Sequence, residues 1–571
     1  MNNIIDQILE KAGRNNRYQY ITLVILFVLY GSSEYIIVIL PFLEAKPIVE
    51  FFNDTSNTTI VTTLNYTICE NYNYSIVQNL TKHSLIYELG IYCDKTLTTV
   101  LGICLYSGVM MGSSIAYKFV DRRGRKITLQ IFSTLLIILN IVLYFIDMLI
   151  PVFVLIFLQG LFSSIINITI LVYISETVKK QYIVYFTSTI FTAFSFFGAI
   201  YTLIFYFTNE WRSVLLFILI NMVISIPLIH FYIEESPIFY FSHGNDEMFF
   251  KQVEKIGKKN GRVIDLSQSN LIENDLKTIR PPIVENDYDI DGEEISGHKA
   301  GSSEHIFIDN QQEIFISKNN KDLNVSGSIS YSENKNIQQE SLKYNSLLDK
   351  TCMIKEKEKR RKINDYSICD LITLDSQRIN FLILNFIWVV ITFMFCGLSI
   401  NVKNLYGNFY KTYFYIFLCD PICSFVGALL SNNSRLGRKK TMTSLLLISF
   451  CGFMTSIFFD QDPDSGFFHI FIYISRISLI ALNCILYCYT NEVYPFVLRT
   501  RGLGFHMTLS KLGGITAPFV IEYLGTANLC MMFCLINLFA IMFSFVLPET
   551  LNRRMAFYPP EMSGIVEENL D

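Results

Sequence analysis

Twelve apolar runs, each long enough to cross a bilayer, constrain this chain more than any other feature. A helix of about 20 mostly apolar residues spans the hydrocarbon core, and only a helix or a closed barrel satisfies its backbone there. The runs lie at 20–43, 97–117, 128–146, 152–174, 184–207 and 213–233, then at 378–398, 408–431, 441–459, 467–489, 503–524 and 527–547. Composition agrees: of 571 residues 51% are hydrophobic and 17% charged, against about 25% charged in a soluble domain. A net charge of −4 argues against a general nucleic-acid binder. Thirteen cysteines are too few for a disulfide scaffold of this length. The first run follows a polar segment, Met1 to Tyr18, with no small-residue cleavage site after it, so it reads as a retained helix.

Orientation follows from the short loops. Those after the second, fourth, eighth and tenth runs hold Lys118, Arg122, Arg123, Arg125 and Lys126 and then Arg435, Arg438, Lys439 and Lys440, while the other side offers only Arg212, Lys403 and Lys411. The excess of basic residues predicts that both termini and the long 234–377 segment face the cytoplasm. The 44–96 loop then faces outside. It carries N-x-S/T sequons at Asn53, Asn57, Asn65, Asn73 and Asn79, expected glycosylation sites, and Cys69 with Cys93, whose spacing permits but does not establish a disulfide.

The chain repeats itself. Asp121-Arg-Arg-Gly-Arg-Lys126 returns as Ser434-Arg-Leu-Gly-Arg-Lys439, Tyr173-Ile-Ser-Glu176 as Tyr489-Thr-Asn-Glu492, and Glu235-Ser236 as Glu549-Thr550. The three offsets agree within three residues, and each pair follows or closes the equivalent run. The expected architecture is therefore an all-α membrane protein of the major facilitator fold, with 12 transmembrane helices in two six-helix halves. Its parts are 1–233 (first half, with the outer loop 44–96), 234–377 (cytoplasmic linker) and 378–571 (second half). Residues 281–350, rich in Asn, Ser, Asp, Glu and Lys, are expected to be disordered. The basic stretch Lys355–Lys362 reads as a solvated helix end, with contact to anionic lipid as the alternative.

Further motifs narrow the family. They are Tyr92-Cys-Asp94, Phe157-Leu-Gln-Gly160, Glu210-Trp-Arg212, Glu235-Ser-Pro237, Asp420-Pro421, the run Asn491-Glu-Val-Tyr-Pro-Phe-Val-Leu-Arg-Thr-Arg-Gly-Leu-Gly504 and Leu547-Pro-Glu-Thr550. Together these resemble the organic cation, organic anion and carnitine transporter family of the major facilitator superfamily, over nearly the whole chain except about 265–350. The Glu-Val-Tyr-Pro run and the sequon-bearing loop discriminate best, whereas Arg-x-Gly-Arg and Pro-Glu-Thr are shared with sugar porters. Three positions depart from the pattern: Tyr117 where glycine is usual, Ile156 where an arginine precedes Leu-Gln-Gly, and Ser434 where the second-half loop has an acid.

Transport needs no covalent chemistry, so candidate site residues are the charges a bilayer does not tolerate idly. A charge at mid-membrane costs roughly 2.5–3.5 kcal/mol on insertion scales. Glu34, Asp420, Arg476 and Lys511 qualify, as substrate contacts or as structural pairs such as Asp420 with Arg476. By resemblance, Lys511 stands where cation carriers often have an aspartate and anion or carnitine carriers an arginine. A fixed positive charge tilts the expectation to anions or zwitterions, while Glu34 and Asp420 keep a cationic moiety open. Glu34 is also the candidate for proton coupling, with sodium the other coupling ion left open. Tyr35, Trp388 and Phe395 are aromatic substrate-stacking candidates, with helix packing the plainer reading.

The resemblance assigns a gate to Asp121, Arg122, Gly124, Arg125, Glu176 and Glu235, repeated at Arg435, Gly437, Arg438, Glu492 and Arg499, with a static loop anchor as the alternative. Cys419/Cys423, Cys484/Cys488 and Cys530/Cys534 read as small packing residues, and Gly108-x3-Gly112 as a close helix contact. No metal site or cofactor is expected. No Walker loop, H-E-x-x-H or nucleophile elbow supports a pump or hydrolase. The expected function is not enzymatic: a secondary active or facilitative carrier of small organic ions in the plasma membrane, working by alternating access. A sugar or phosphate porter and a non-transporting solute receptor are the alternatives.

Overall fold

The computed structural model describes residues 8–262 and 368–551, apart from 54–57, 65, 244, 374, 403–408, 434, 460–466, 495 and 525. The readings of 281–350 and of Lys355–Lys362 fall outside the described residues, as do Asn57, Asn65, Lys403 and Ser434. Each apolar run folds as a helix: α1 (Arg17–Leu43), α2 (Lys95–Arg123), α3 (Arg125–Phe145), α4 (Leu149–Thr177), α5 (Lys180–Thr208), α6 (Trp211–Tyr232), α7 (Asp375–Asn401), α8 (Phe409–Ser431), α9 (Gly437–Phe459), α10 (Phe467–Val493), α11 (Phe496–Tyr523) and α12 (Thr526–Ser544). Among the described residues, ten helices, α1 to α10, are long and apolar enough to cross a membrane. The helix α11 is continuous but its apolar sequence is broken by Arg501, Lys511 and Glu522, and the apolar part of α12 is the shorter stretch Asn528–Ser544. Large apolar side chains stand on the outside of the bundle, Phe231 79% and Phe207 76% exposed, as lipid-facing positions do.

The helices pack in two equivalent sets. In the first, α2 runs against α4, α3 against α4 and α6, and α1 against α5; in the second, α8 runs against α10, α9 against α10 and α12, and α7 against α11. The sets meet along two seams, α5 on α8 and α2 on α11, which a two-fold swap of the halves exchanges. Gly108 and Gly112 lie against the α4 backbone at Phe157 and Leu161, so a side chain there would force α2 off α4.

One end of the bundle carries the basic loops and is called here the basic end. The other carries the segment after α1 and is called the sheet end. That segment is not a plain loop. Strands β1 (Ile48–Asn53), β2 (Thr58–Thr63) and β3 (Tyr74–Ile76) form an antiparallel sheet in the order β2-β1-β3. Val49, Phe51, Leu64 and Ile68 give it a small core, and a disulfide joins Cys69 to Cys93 with Cα atoms 6.0 Å apart. Asn73 and Asn79 are exposed, while Asn53 ends β1 and its side chain lies outside the described residues. At the basic end, residues of the N-terminal stretch (Ile8, Leu9, Ala12) pack with Tyr18 on a helix that follows α6, Asp246–Lys259.

Candidate functional site

The four charges singled out in the sequence reach the middle of the bundle, where the halves meet. α1 breaks at Glu34, whose N–H still bonds the Tyr30 carbonyl at 3.1 Å before the helix resumes at Tyr35. The break turns the Glu34 side chain toward α4, where Asn167 Nδ2 donates to Oε1 at 2.5 Å. Glu34 is 5% exposed, and Lys511 of α11 in the second half acts on it electrostatically. In the second half, Asp420 of α8 and Arg476 of α10 are 1% and 2% exposed and form an ion pair at 3.6 Å. Arg476 Nη1 donates to Ser399 Oγ at 2.7 Å, and its guanidinium lies 5.0 Å from the Phe395 ring centre. The pair is tied across the seam, because Ser195 of α5 donates to Asp420 at 3.2 Å and Phe194 packs on Phe395. Cys396 on α7 feels both Lys511 and Arg476 electrostatically. Among the described residues Arg476 Nε makes no hydrogen bond, leaving an N–H capable of taking an anionic oxygen.

Two of the proposed stacking aromatics are elsewhere. Tyr35 follows Glu34 but points into the first half, donating to Asn140 Oδ1 and accepting from Gln159 Nε2 at 2.7 Å, with Gln159 also on Asn140 at 2.8 Å. It is fully buried there. Trp388, 5% exposed, donates to Thr490 of α10 at 3.1 Å. Both sit in packed polar networks, and of the three aromatics Phe395 alone adjoins the charges. Of the positions departing from the family pattern, Ile156 is fully buried and Tyr117 is exposed on α2.

At the basic end the repeated motifs build the same device twice. Gly124 (φ +90°) and Gly437 (φ +73°) begin α3 and α9 in a conformation that favours glycine. Glu235 accepts from the N–H groups of Arg125 (2.8 Å), Lys126 (3.0 Å) and Ser236 (3.0 Å). Glu549 accepts likewise from Arg438 (2.9 Å), Lys439 (3.1 Å), Thr550 (3.0 Å) and Leu551 (3.1 Å). Each carboxylate thus caps a helix N-terminus left with open N–H groups. The arginine side chains then reach the end of a neighbouring helix: Arg125 to Glu176 at 2.7 Å, Arg438 to Glu492 at 2.9 and 3.2 Å. Tyr173 and Tyr489 donate to the carbonyls of Glu234 and Pro548. Asp121 meets Arg125 at 3.5 Å and is acted on by Arg501 of α11 in the other half. Arg122 and Arg435 are exposed, and the side chain of Arg499 lies outside the described residues.

Burial and hydrogen bonding separate the two capping acids. Burial pushes the Glu235 carboxyl above its ordinary range, against the N–H groups that favour its anion. Glu549 also feels burial, but its four N–H donors outweigh it and hold the carboxyl below the usual range.

Toward the sheet end the seam is filled by rings. Phe42 of α1 packs on Tyr410 and Tyr413 of α8 at 5.9 and 5.0 Å, and Phe205 of α5 on Tyr410 at 5.9 Å. Sequence reasoning missed Asn167, Ser195 and Ser399, and gave Arg501 no role beyond its place in the 491–504 run. A search for charges alone passes over amides and hydroxyls, yet a polar amide in mid-helix carries the same desolvation signal. Glu44, which ends α1 and is 3% exposed, escaped notice because it lies one residue past the apolar run 20–43.

Comparisons with known proteins agree with this architecture. Residues 50–271 match the family model described as "Sugar (and other) transporter". "Solute carrier family 22 member 15-like" of Xenopus tropicalis is 28% identical over 200 residues, 34% of this chain and 40% of that protein. "Organic cation/carnitine transporter 2" of Rattus norvegicus is 27% identical over 167 residues, 29% of each chain. These matches span well under half the length of either relative. Among solved structures, the inward open xylose transporter XylE from E. coli superposes with a TM-score of 0.56 at 11% identity, covering 94% of this chain and 98% of that one. The proton:xylose symporter XylE bound to 6-bromo-6-deoxy-D-glucose gives 0.57 at 12% identity, over 94% and 97%. At such identity the superposition bears on fold alone: this multi-pass membrane protein has the major facilitator fold of two six-helix halves, as expected from its repeats. The relatives are transporters, and they fall in the family that the motifs resemble.

Proposed function

We propose that the chain carries a small organic ion across the plasma membrane by alternating access, an anion or zwitterion in preference to a cation. The observation that carries this reading is that polar contacts of the two halves cross the seam: buried Glu34 feels the half-buried Lys511, and Ser195 bonds the buried Asp420–Arg476 pair. Charges held there are expensive unless they serve an aqueous path or a partner. Lys511 and the unbonded Nε of Arg476 suit a carboxylate, and Glu34 with Asn167 suits an ammonium or hydroxyl. Phe395 offers its ring beside Arg476. Trp388 and Tyr35 act as packing residues in this reading.

The basic end then faces the cytoplasm with both termini and the 234–377 linker, and the sheet end faces outside with its sequons glycosylated. The paired devices at Gly124–Arg125–Glu176–Glu235 and Gly437–Arg438–Glu492–Glu549 hold the basic end as the gate, with Asp121 and Arg501 joining it across the seam. The names of the relatives, organic cation and carnitine transporter among them, support an organic ion. A sugar porter is the second reading, favoured by the description of the matching family model.

Uptake of labelled carnitine, organic anion, organic cation and hexose panels in one expression host, with pH and sodium varied, separates the two. Organic-ion uptake is expected; uptake of hexose alone overturns the proposal in favour of the second reading. With Glu34 as the coupling site, Glu34→Gln abolishes the pH dependence of uptake, and a variant that keeps it removes the proton-coupling role.

A further inference from the structure

Three lysines of the first half's sheet-end segment reach the rim of the second half. Lys46, just past α1, lies 3.8 Å from Glu522 at the end of α11. Lys95, the first residue of α2, stands over the ring of Tyr523 with its ammonium 4.5 Å from the centre. Lys82 donates to the Tyr206 carbonyl at 2.9 Å and places its ammonium 5.3 Å from the ring of Tyr410, in the first turn of α8. The first two contacts close the α2–α11 seam and the third closes the α5–α8 seam. The disulfide-closed segment takes part directly. Tyr66 presents its ring to Lys46 at 3.4 Å and to Lys95 at 5.5 Å, and its hydroxyl pairs with Thr98 of α2. Cys69 follows Tyr66 on the same short helix, Tyr66–Asn71, so the bond to Cys93 holds that helix beside the start of α2.

We propose that Lys46, Lys82 and Lys95 form a clasp by which the 44–95 segment holds the sheet end of the two halves shut. The inference rests on the alternating-access reading, since a clasp has meaning only if the sheet end opens. Every contact is of a kind that a few ångströms of separation removes. An ammonium over a ring loses its attraction beyond about 6 Å, and a rim ion pair is screened once water enters. Such contacts favour the closed form without locking it. Phe42 packs on Tyr410, the ring under Lys82, and on Tyr413, so this ring layer would part with the clasp.

The test reads accessibility and needs no substrate. Cys396, buried on α7 beside Lys511 and Arg476, reports on the route from the sheet end to the centre. The full-length chain in intact cells is treated with a membrane-impermeant maleimide, and labelling of Cys396 is followed by peptide mass spectrometry. Replacing all three lysines by glutamine is expected to speed labelling about tenfold, the shift that a few weak contacts acting together impose on a two-state balance. Should that variant fail to reach the surface, the exchange Lys46→Glu with Glu522→Lys decides: it restores the slow labelling that Lys46→Glu alone loses. Labelling unaffected by the triple replacement, or a charge exchange no slower than Lys46→Glu alone, overturns the clasp. Normal transport with unaffected labelling rejects the clasp alone. Faster labelling in a chain that moves no solute shows that the sheet end opens and is held by the clasp, and rejects only the carriage of solute.

Discussion

Gly124 and Gly437 show how single residues set the basic end. At each, a β-carbon would run into the capping carboxylate, Glu235 Oε2 or Glu549 Oε2, and the positive φ adds backbone strain. Gly124→Ala and Gly437→Ala should each lose about 1–3 kcal/mol from strain alone, read as a lower thermal midpoint of the purified protein; midpoints equal to the parent's would refute the capping account. The two acids should also differ in their response to pH. Glu549, held below the usual range, contributes stability that is complete above the unfolded carboxyl value of about 4.3 and lost as pH falls through its lower folded value. Glu235, held above the usual range, has the opposite sign: its ionised form is penalised, and the penalty grows as pH rises through its folded value. At neutral pH, Glu549→Gln should therefore lower the thermal midpoint more than Glu235→Gln. On acidification the carboxyl infrared band lost in Glu235→Gln should appear at higher pH than that lost in Glu549→Gln. The reverse order would mean that N–H donors, not burial, govern Glu235.

Elements explain why the fold could be read from the sequence while much of the site could not. The apolar runs locate all twelve helices, and the repeats reveal which of them are equivalent. The ends are less legible: α11 reads as starting at 503 but begins at Phe496, because its first turns carry Arg499 and Arg501 instead of an apolar run. The break in α1 has no Pro or Gly at Glu34 to announce it. β1 and β2 lie in a segment that reads as a loop, although Thr58-Thr-Ile-Val-Thr-Thr63 is rich in β-branched residues, a strand signal. Partners far apart in the chain, such as Asn167 with Glu34 or Ser195 with Asp420, exist only once helices are packed. The α8–α10 pair gives a test at this scale. Asp420→Asn should destabilise by about 3–5 kcal/mol, since it leaves Arg476 buried without its counter-charge. Adding Arg476→Met should recover most of that loss in chemical unfolding. Additive losses would show that the two side chains act independently.

For the whole molecule, the organising fact is that α5–α8 and α2–α11 are the two seams and that the halves exchange under the same swap. A rigid half can rock about such seams while its own packing, including the α2–α4 contact at Gly108 and Gly112, stays intact. Capping devices at the basic end, charges in the middle and lysine contacts at the sheet end then lie along one axis of closure. The central claim is that the middle layer recognises the travelling ion. It is tested most directly by uptake into vesicles reconstituted with the purified chain or its Lys511→Gln variant. The account predicts saturable flux of an organic anion or zwitterion, reduced about tenfold or more by Lys511→Gln as loss of a charge contact to the ion would do, with the variant still folded. Solute that binds without flux, or hexose flux indifferent to Lys511→Gln, would contradict it.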